Sequence, residues 1–356
     1  MRIAVAAEIT PARTLIPILK KLDADVLGLA HGDGAKEILS PYCYEVLSIG
    51  SGRRAGAKKR SNFEILKLVL KDINKTRKIL SKSNVDLVIT CGNAGDVRKA
   101  LSASKLLGIP RLHVEQDIYN PIEMIAFANI VTAPSDEYKL FLEEEYSLNN
   151  VFNIGGYPMV DFINKKQLLS REEVYNKYSC PDEYVVVALG GDLRYSDIEK
   201  IISVISNLNF QFLIVPFRFD KHYVDSLVKT DNIHVLSGYV DLPSLMKYSS
   251  AVIYGAGMGI TIEATVLGVP AIKILGFHKK HASVDLAKKV GICISEINDI
   301  PNVLDMISKP NSNMLIEDSI NAIDNLVSLI NSYDDNLGKG NFNSITKIWN
   351  ARSKFR

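Results

Sequence analysis

The stretch Tyr184-Val185-Val186-Val187-Ala188-Leu189-Gly190-Gly191-Asp192 decides the fold. Its apolar run has no polar interruption and stops at a glycine pair. A strand with one wet face alternates apolar and polar residues. A continuous run is what a strand buried on both faces requires, and such strands belong to parallel sheets. Similar runs follow at Phe210–Pro216, His234–Leu236, Ala251–Tyr254 and Pro270–Ile274. An earlier series precedes it at Arg2–Ala7, Asp25–Ala30, Tyr44–Ile49, Asp86–Thr90, Arg111–Glu115, Asn129–Ala133 and Val151–Ile154.

Between the runs the apolar spacing turns helical, as in Ser61–Ser81, where Ser61 and Glu64 suggest a capping box, and in Ala94–Leu107. Parallel strands need crossover connections, so the alternation predicts an α/β fold. The series restarts after the polar stretch Asp161–Tyr178. We therefore expect two Rossmann-like parallel-sheet domains, over residues 1–165 and 166–335. The second takes in a helix over Ile316–Tyr333. A polar tail over 336–356 is free to return to the first domain, with Phe342, Ile345, Ile348 and Trp349 as anchors. Ligands of open α/β sheets bind at the carboxyl ends of strands, so the two domains are expected to face a central cleft.

Composition narrows the function. The chain has 356 residues, 47% apolar and 23% charged, with 42 Lys+Arg against 40 Asp+Glu. A net charge of +2 gives no global argument for nucleic acid, so any basic site is local. Cys43, Cys91, Cys180 and Cys293 lie too far apart for a Cys-x-x-Cys pair, so neither a zinc site nor a redox pair is indicated. Thiols this sparse fit a reducing compartment. Glu8 interrupts the N-terminus where a signal peptide would still be apolar. The expected location is the cytoplasm, with peripheral contact at the inner face of a membrane compatible with it.

Loops after strands carry the candidate chemistry. Gly190 and Gly191 would let the backbone approach an anion ahead of a helix N-terminus, or simply make a tight turn. Gly255-Ala256-Gly257-Met258-Gly259-Ile260-Thr261-Ile262-Glu263 places glycines before another helix. Its free N–H groups suit a diphosphate and Glu263 suits ribose hydroxyls, although close packing and a helix cap would use the same residues. His113-Val114-Glu115-Gln116-Asp117 ends a first-domain strand, where Glu115 could act as a general base, with His113 or Asp117 behind it. A core histidine is the alternative for His113. Finally, Arg53, Arg54, Lys58, Lys59 and Arg60 share a loop with Gly52 and Gly56. It is either a solvated surface or the holder of a phosphate-bearing partner.

Leu107-Gly-Ile-Pro-Arg-Leu-His-Val-Glu115, Tyr119-Asn-Pro-Ile-Glu123, Thr132-Ala-Pro-Ser-Asp136 and Asn153-Ile-Gly-Gly-Tyr-Pro158, in this order, resemble the N-domain of non-hydrolysing UDP-N-acetylglucosamine 2-epimerases. Gly190-Gly191, Ser237-Gly238-Tyr239 and Gly255 to Glu263, followed by Gly268-Val-Pro270, resemble the nucleotide-binding half of GT-B glycosyltransferases. The UDP-GlcNAc transferase of lipid-linked peptidoglycan assembly is the nearest type. The resemblance runs from Arg2 to about Ser308. It implies the GT-B fold, with phosphates approached by Gly190, Gly191, Gly257, Met258 and Gly259, ribose by Glu263 beside Thr261, and uracil by the Gly238–Tyr239 turn. It also implies a phosphate-side role for Arg218 and a donor-sugar contact for His278.

Epimerase-specific groups are replaced. Gly255-Ala256-Gly257-Met258 stands for Asp-Ser-Gly-Gly, Ala7-Glu8-Ile9-Thr10-Pro11 for Gly-Thr-Arg-Pro-Glu, and Asn93 for an acidic residue. The expectation is a metal-independent, cofactor-free transferase that moves a sugar, GlcNAc or a relative, from a UDP-sugar to an anionic or lipid-linked acceptor. A 2-epimerase and a non-catalytic nucleotide-sugar-binding protein are the alternatives. A homodimer is compatible with each.

Overall fold

The computed structural model describes every residue except 51–61, Asp117, Gly191, Asp192, Arg218, Ala256, 277–279 and 354–356, and apart from the side chains of Asn62 and Phe63. The chain forms two compact units, one of Met1–Phe162 with Glu317–Arg356, the other of Ile163–Ile316.

Unit 1 holds seven parallel strands: β1 (Arg2–Ala7), β2 (Asp25–Ala30), β3 (Glu45–Ser48), β4 (Leu87–Cys91), β5 (Arg111–Val114), β6 (Ile130–Ala133) and β7 (Val151–Asn153), in the order β3-β2-β1-β4-β5-β6-β7. The order reverses between β1 and β4, so the loops after those strands flank the switch point, where open sheets take ligands. Gly92, just past β4, has φ +89°, and a Cβ there would lie 2.6 Å from the Pro11 ring. Glycine lets the connection after β4 lie against the connection after β1.

Unit 2 holds β8 (Val185–Ala188), β9 (Phe212–Val215), β10 (Ile233–Val235), β11 (Ala251–Tyr254), β12 (Ala271–Ile274) and β13 (Cys293–Ser295), all parallel, in the order β10-β9-β8-β11-β12-β13. Its switch point lies between β8 and β11. The residues Val185–Ala188 are buried throughout, which is why no alternation shows in the run. No helix among the described residues is long and apolar enough to cross a membrane.

The domain boundary expected at residue 335 is corrected to 316. The helix Asn313–Asn331 turns Ala322, Ile323, Leu326, Leu329 and Ile330 into one core with Ile3 and Val5 of β1 and Leu15 of the helix Ile9–Leu19. Its apolar face thus belongs to unit 1 from Glu317 onward. The rest of the tail also lies on unit 1. Asn341 and Ser344 donate to the Ser147 carbonyl, at 3.0 and 2.7 Å, and Arg352 donates to the Pro121 carbonyl at 2.7 Å. Of the four expected anchors only Ile348 is fully buried, and Phe342 and Trp349 are exposed.

Gly156 makes the docking of Asn313–Asn331 close. A Cβ on it would meet the Asp318 carbonyl oxygen at 2.9 Å and carbonyl carbon at 3.1 Å. Backbone cannot rotate away as a side chain does, so Gly156→Ala is expected to cost about 1–3 kcal/mol of stability. Urea unfolding at neutral pH checks it, and a midpoint equal to wild type would mean that the helix shifts freely.

Candidate functional site

In unit 2 the connection after β11 delivers the helix Met258–Leu267. Gly257 is its N-cap at φ +120°, and among the described residues no side chain caps the helix and nothing lies within 4 Å of where a Cβ on Gly257 would be. The first-turn N–H groups and the helix dipole therefore face space that an anion could fill. Met258 and Gly259 form that first turn and are buried. Thr261 is held from below. Its hydroxyl bonds the Gly257 carbonyl at 3.2 Å and lies 2.9 Å from the Tyr254 hydroxyl. Burial raises the Tyr254 pKa, so this hydroxyl stays neutral and available as a donor. The Lys273 ammonium, buried on β12, sits 5.1 Å from the Tyr254 ring centre, a cation–π contact.

The helix is apolar on all sides, and this carries Glu263 inside with it, to 2% exposure. Gly190 closes a turn after β8, where Leu193 N–H donates to its carbonyl at 3.3 Å. Gly238 has φ +71° in an open turn and Tyr239 beside it is exposed, so the two together form an accessible edge.

In unit 1, His113 and Glu115 come together, but inside the fold. His113 Nδ1 lies 2.8 Å from the Thr90 hydroxyl and Nε2 lies 3.2 Å from Glu115 Oε2. Glu115 Oε1 accepts Gln116 N–H at 2.8 Å. Both side chains are fully buried. Cys91 beside them has its pKa pushed well up by burial, then by the charges of Glu115 and Asp96, so it is an inert thiol. Asp117, Gly191, Arg218, His278 and the loop residues Arg53, Arg54, Lys58, Lys59 and Arg60 lie outside the described residues.

The structure adds a group that motif reading passed over. Glu8 follows β1, His31 follows β2, and Asp96 opens the helix Gly95–Leu107 after β4; their ligand-type atoms all lie within 4.8 Å of one another. Behind His31, Lys99 reaches Asp72 at 2.7 Å in a buried ion pair. Gly50 caps this pair, since a Cβ there would stand 2.5 Å from both Asp72 Oδ2 and Lys99 Nζ. The available signal was position: Glu8 and His31 each come directly after a strand, as did every loop singled out for chemistry.

Two Rossmann-like units, each with its switch point and a glycine-bearing turn, define the GT-B fold. Residues 96–333 match a family described as proteins of unknown function, DUF354, and the chain belongs to that family. Among sequence relatives, the UDP-N-acetylglucosamine–N-acetylmuramyl-(pentapeptide) pyrophosphoryl-undecaprenol N-acetylglucosamine transferase of Leuconostoc citreum is 24% identical over 315 residues, covering 82% of this chain and 83% of the relative. Among solved structures, the Methanocaldococcus jannaschii UDP-GlcNAc 2-epimerase in complex with UDP-GlcNAc and UDP superposes with a TM-score of 0.69 at 18% identity, over 93% of this chain and 100% of that one. The Neisseria meningitidis UDP-GlcNAc 2-epimerase bound to UDP-GlcNAc gives 0.66 at 18%, over 99% and 98%. The relatives and neighbours are thus enzymes of UDP-sugars, and the structural likeness, at this identity, speaks for the fold.

Proposed function

We propose that the chain is a glycosyltransferase that moves a sugar, GlcNAc or a close relative, from a UDP-sugar to an anionic or lipid-linked acceptor, with no metal or cofactor. The observation that carries this is the helix start at Gly257, which among the described residues is uncapped and open to an anion at the switch point of unit 2. Backbone N–H groups there would hold the leaving diphosphate, as preorganised dipoles do in general. The L. citreum relative supports the sugar and the lipid-linked class by its name. The helix Asn62–Lys82 adds support for a lipid surface. It exposes Ile65, Leu66, Leu68 and Leu70 among the exposed lysines Lys67 and Lys71. In this reading the basic loop that ends just before that helix would take the acceptor phosphate.

The test is binding followed by isotope. At 100 times Kd, UDP or UDP-GlcNAc is expected to add ~2.7 kcal/mol of stability, visible as a thermal shift, with GDP- and dTDP-sugars weaker. EDTA should leave both binding and turnover unchanged. UDP-GlcNAc incubated with the protein in D₂O should keep its C2 hydrogen. Deuterium at C2 would replace the transferase with an epimerase, and no stabilisation by any nucleotide would remove the nucleotide-sugar reading altogether.

A further inference from the structure

Three strand-to-helix connections of unit 1 converge on Glu8, His31 and Asp96. Glu8 is the outermost, its side chain 33% exposed against 6% for His31. Asp96 lies behind, 1% exposed. The hydrogen-bond order fixes the protons. Lys99, charged against Asp72, lies 2.9 Å from His31 Nε2, and an ammonium only donates. His31 Nε2 therefore accepts, its own hydrogen sits on Nδ1, and Nδ1 donates to Glu8 Oε1 at 3.1 Å. With both ring nitrogens used and a cation behind the ring, His31 has no lone pair to offer a metal. The set is built to aim a carboxylate.

Asp96 is the unexplained member. Among the described residues neither of its buried oxygens has a well-formed hydrogen bond, and the donors beside them are the first-turn backbone N–H groups of Asp96 itself and Val97. A buried carboxylate with such weak partners costs free energy, so its place beside Glu8 suits a stronger donor that arrives later. Protonated Glu8 would be such a donor.

We propose that Glu8 and Asp96 form a proton relay that serves the acceptor: Glu8 takes the proton of the acceptor hydroxyl, and its new O–H turns onto the buried carboxylate of Asp96. This deepens the transferase reading and rests on it. The acceptor O–H bond breaks, and its electron pair forms the bond to C1 of the sugar. The bond from C1 to the diphosphate oxygen breaks, and that pair leaves with UDP. The proton passes from Glu8 to Asp96 and then to water. Glu8 fills this role in preference to Glu115, which is sealed against His113. Among the described residues the charged groups that act on Asp96 are Glu8 and His31, with the Cys91 thiol also near it and the Lys99–Asp72 pair behind His31. Burial first, and then the charge of Glu8, push the Asp96 carboxyl up to about 6, where it can hold a proton near neutrality.

The experiment uses the full chain with UDP-GlcNAc and water as the acceptor, so that hydrolysis reports transfer. Glu8→Gln is expected to lower the hydrolysis rate roughly 100-fold or more with UDP affinity within twofold of wild type, as for loss of a general base. Asp96→Asn should flatten the acid limb of the pH–rate profile. Carboxyl ¹³C NMR, which needs no turnover, should show one aspartate titrating near pH 6, absent in Asp96→Asn and moved down in Glu8→Gln. Glu8→Gln hydrolysis within threefold of wild type, or no aspartate titrating near pH 6, overturns the relay while wild-type UDP binding leaves the transferase reading standing. A wild type without UDP affinity fails that reading instead.

Discussion

Lys99→Met is expected to destabilise the protein by about 3–5 kcal/mol, the cost of leaving one partner of a buried ion pair alone. Asp72 and Lys99 have side chains only 10% and 5% exposed and meet at 2.7 Å, so water cannot replace the lost ammonium. His31 Nε2 would lose its donor as well. Urea unfolding at pH 7.5 measures the loss, and it should barely change with salt, because buried pairs are weakly screened. The double variant Asp72→Leu/Lys99→Met should recover most of it, since an apolar pair leaves no charge uncompensated. A single-variant loss below about 1 kcal/mol, in the range of exposed pairs, would mean the network is wet.

Asp96→Asn is expected to do the opposite at neutral pH. The folded carboxyl holds its proton up to about 6, against 3.8 for a free one, so the folded state binds that proton more tightly than the unfolded state does. Stability therefore falls as pH rises between these values, and above them the fold carries a charge it resists, chiefly because of burial. Asparagine removes the charge. The variant should be more stable than wild type at pH 7.5 by up to ~3 kcal/mol, the energy of about two pKa units, and the difference should vanish below pH ~4. A difference that does not change with pH would assign the effect to packing. A residue that weakens the fold where it works is the pattern expected of a functional group.

The architecture was legible because burial on both faces leaves an uninterrupted apolar run, and Tyr184–Leu189 is such a run. The last strand of unit 2, Cys293–Ser295, is only three residues long and carries no comparable signal. The allegiance of Glu317–Asn331 was not legible either. An amphipathic helix shows that it has an apolar face and not which sheet receives it. At the candidate site, the glycines around Gly257 could be read because an uncapped helix start needs a residue without a Cβ. Glu263 read as an acceptor suited to ribose hydroxyls, and its depth was not legible, because it follows from a helix that lacks a polar side. His113 and Glu115 alternate along one strand, which accounts for their contact, though nothing local shows how deep they lie. Glu8, His31 and Asp96 have no motif between them. They meet only because β2, β1 and β4 are neighbours in the sheet, and that order is a property of the whole unit.

The return of Glu317–Arg356 to unit 1 has a consequence for how the chain is made. Residues 1–162 leave the ribosome first, yet β1 lacks part of its packing until Ala322 to Ile330 arrive. All of unit 2 must be translated in between, which at ~5–20 residues per second takes roughly ten to thirty seconds. Unit 2 is continuous in sequence and is free to close during that interval. The nascent protein thus waits with a finished insert and an open apolar face on its older half, which is the period when a chaperone would matter most.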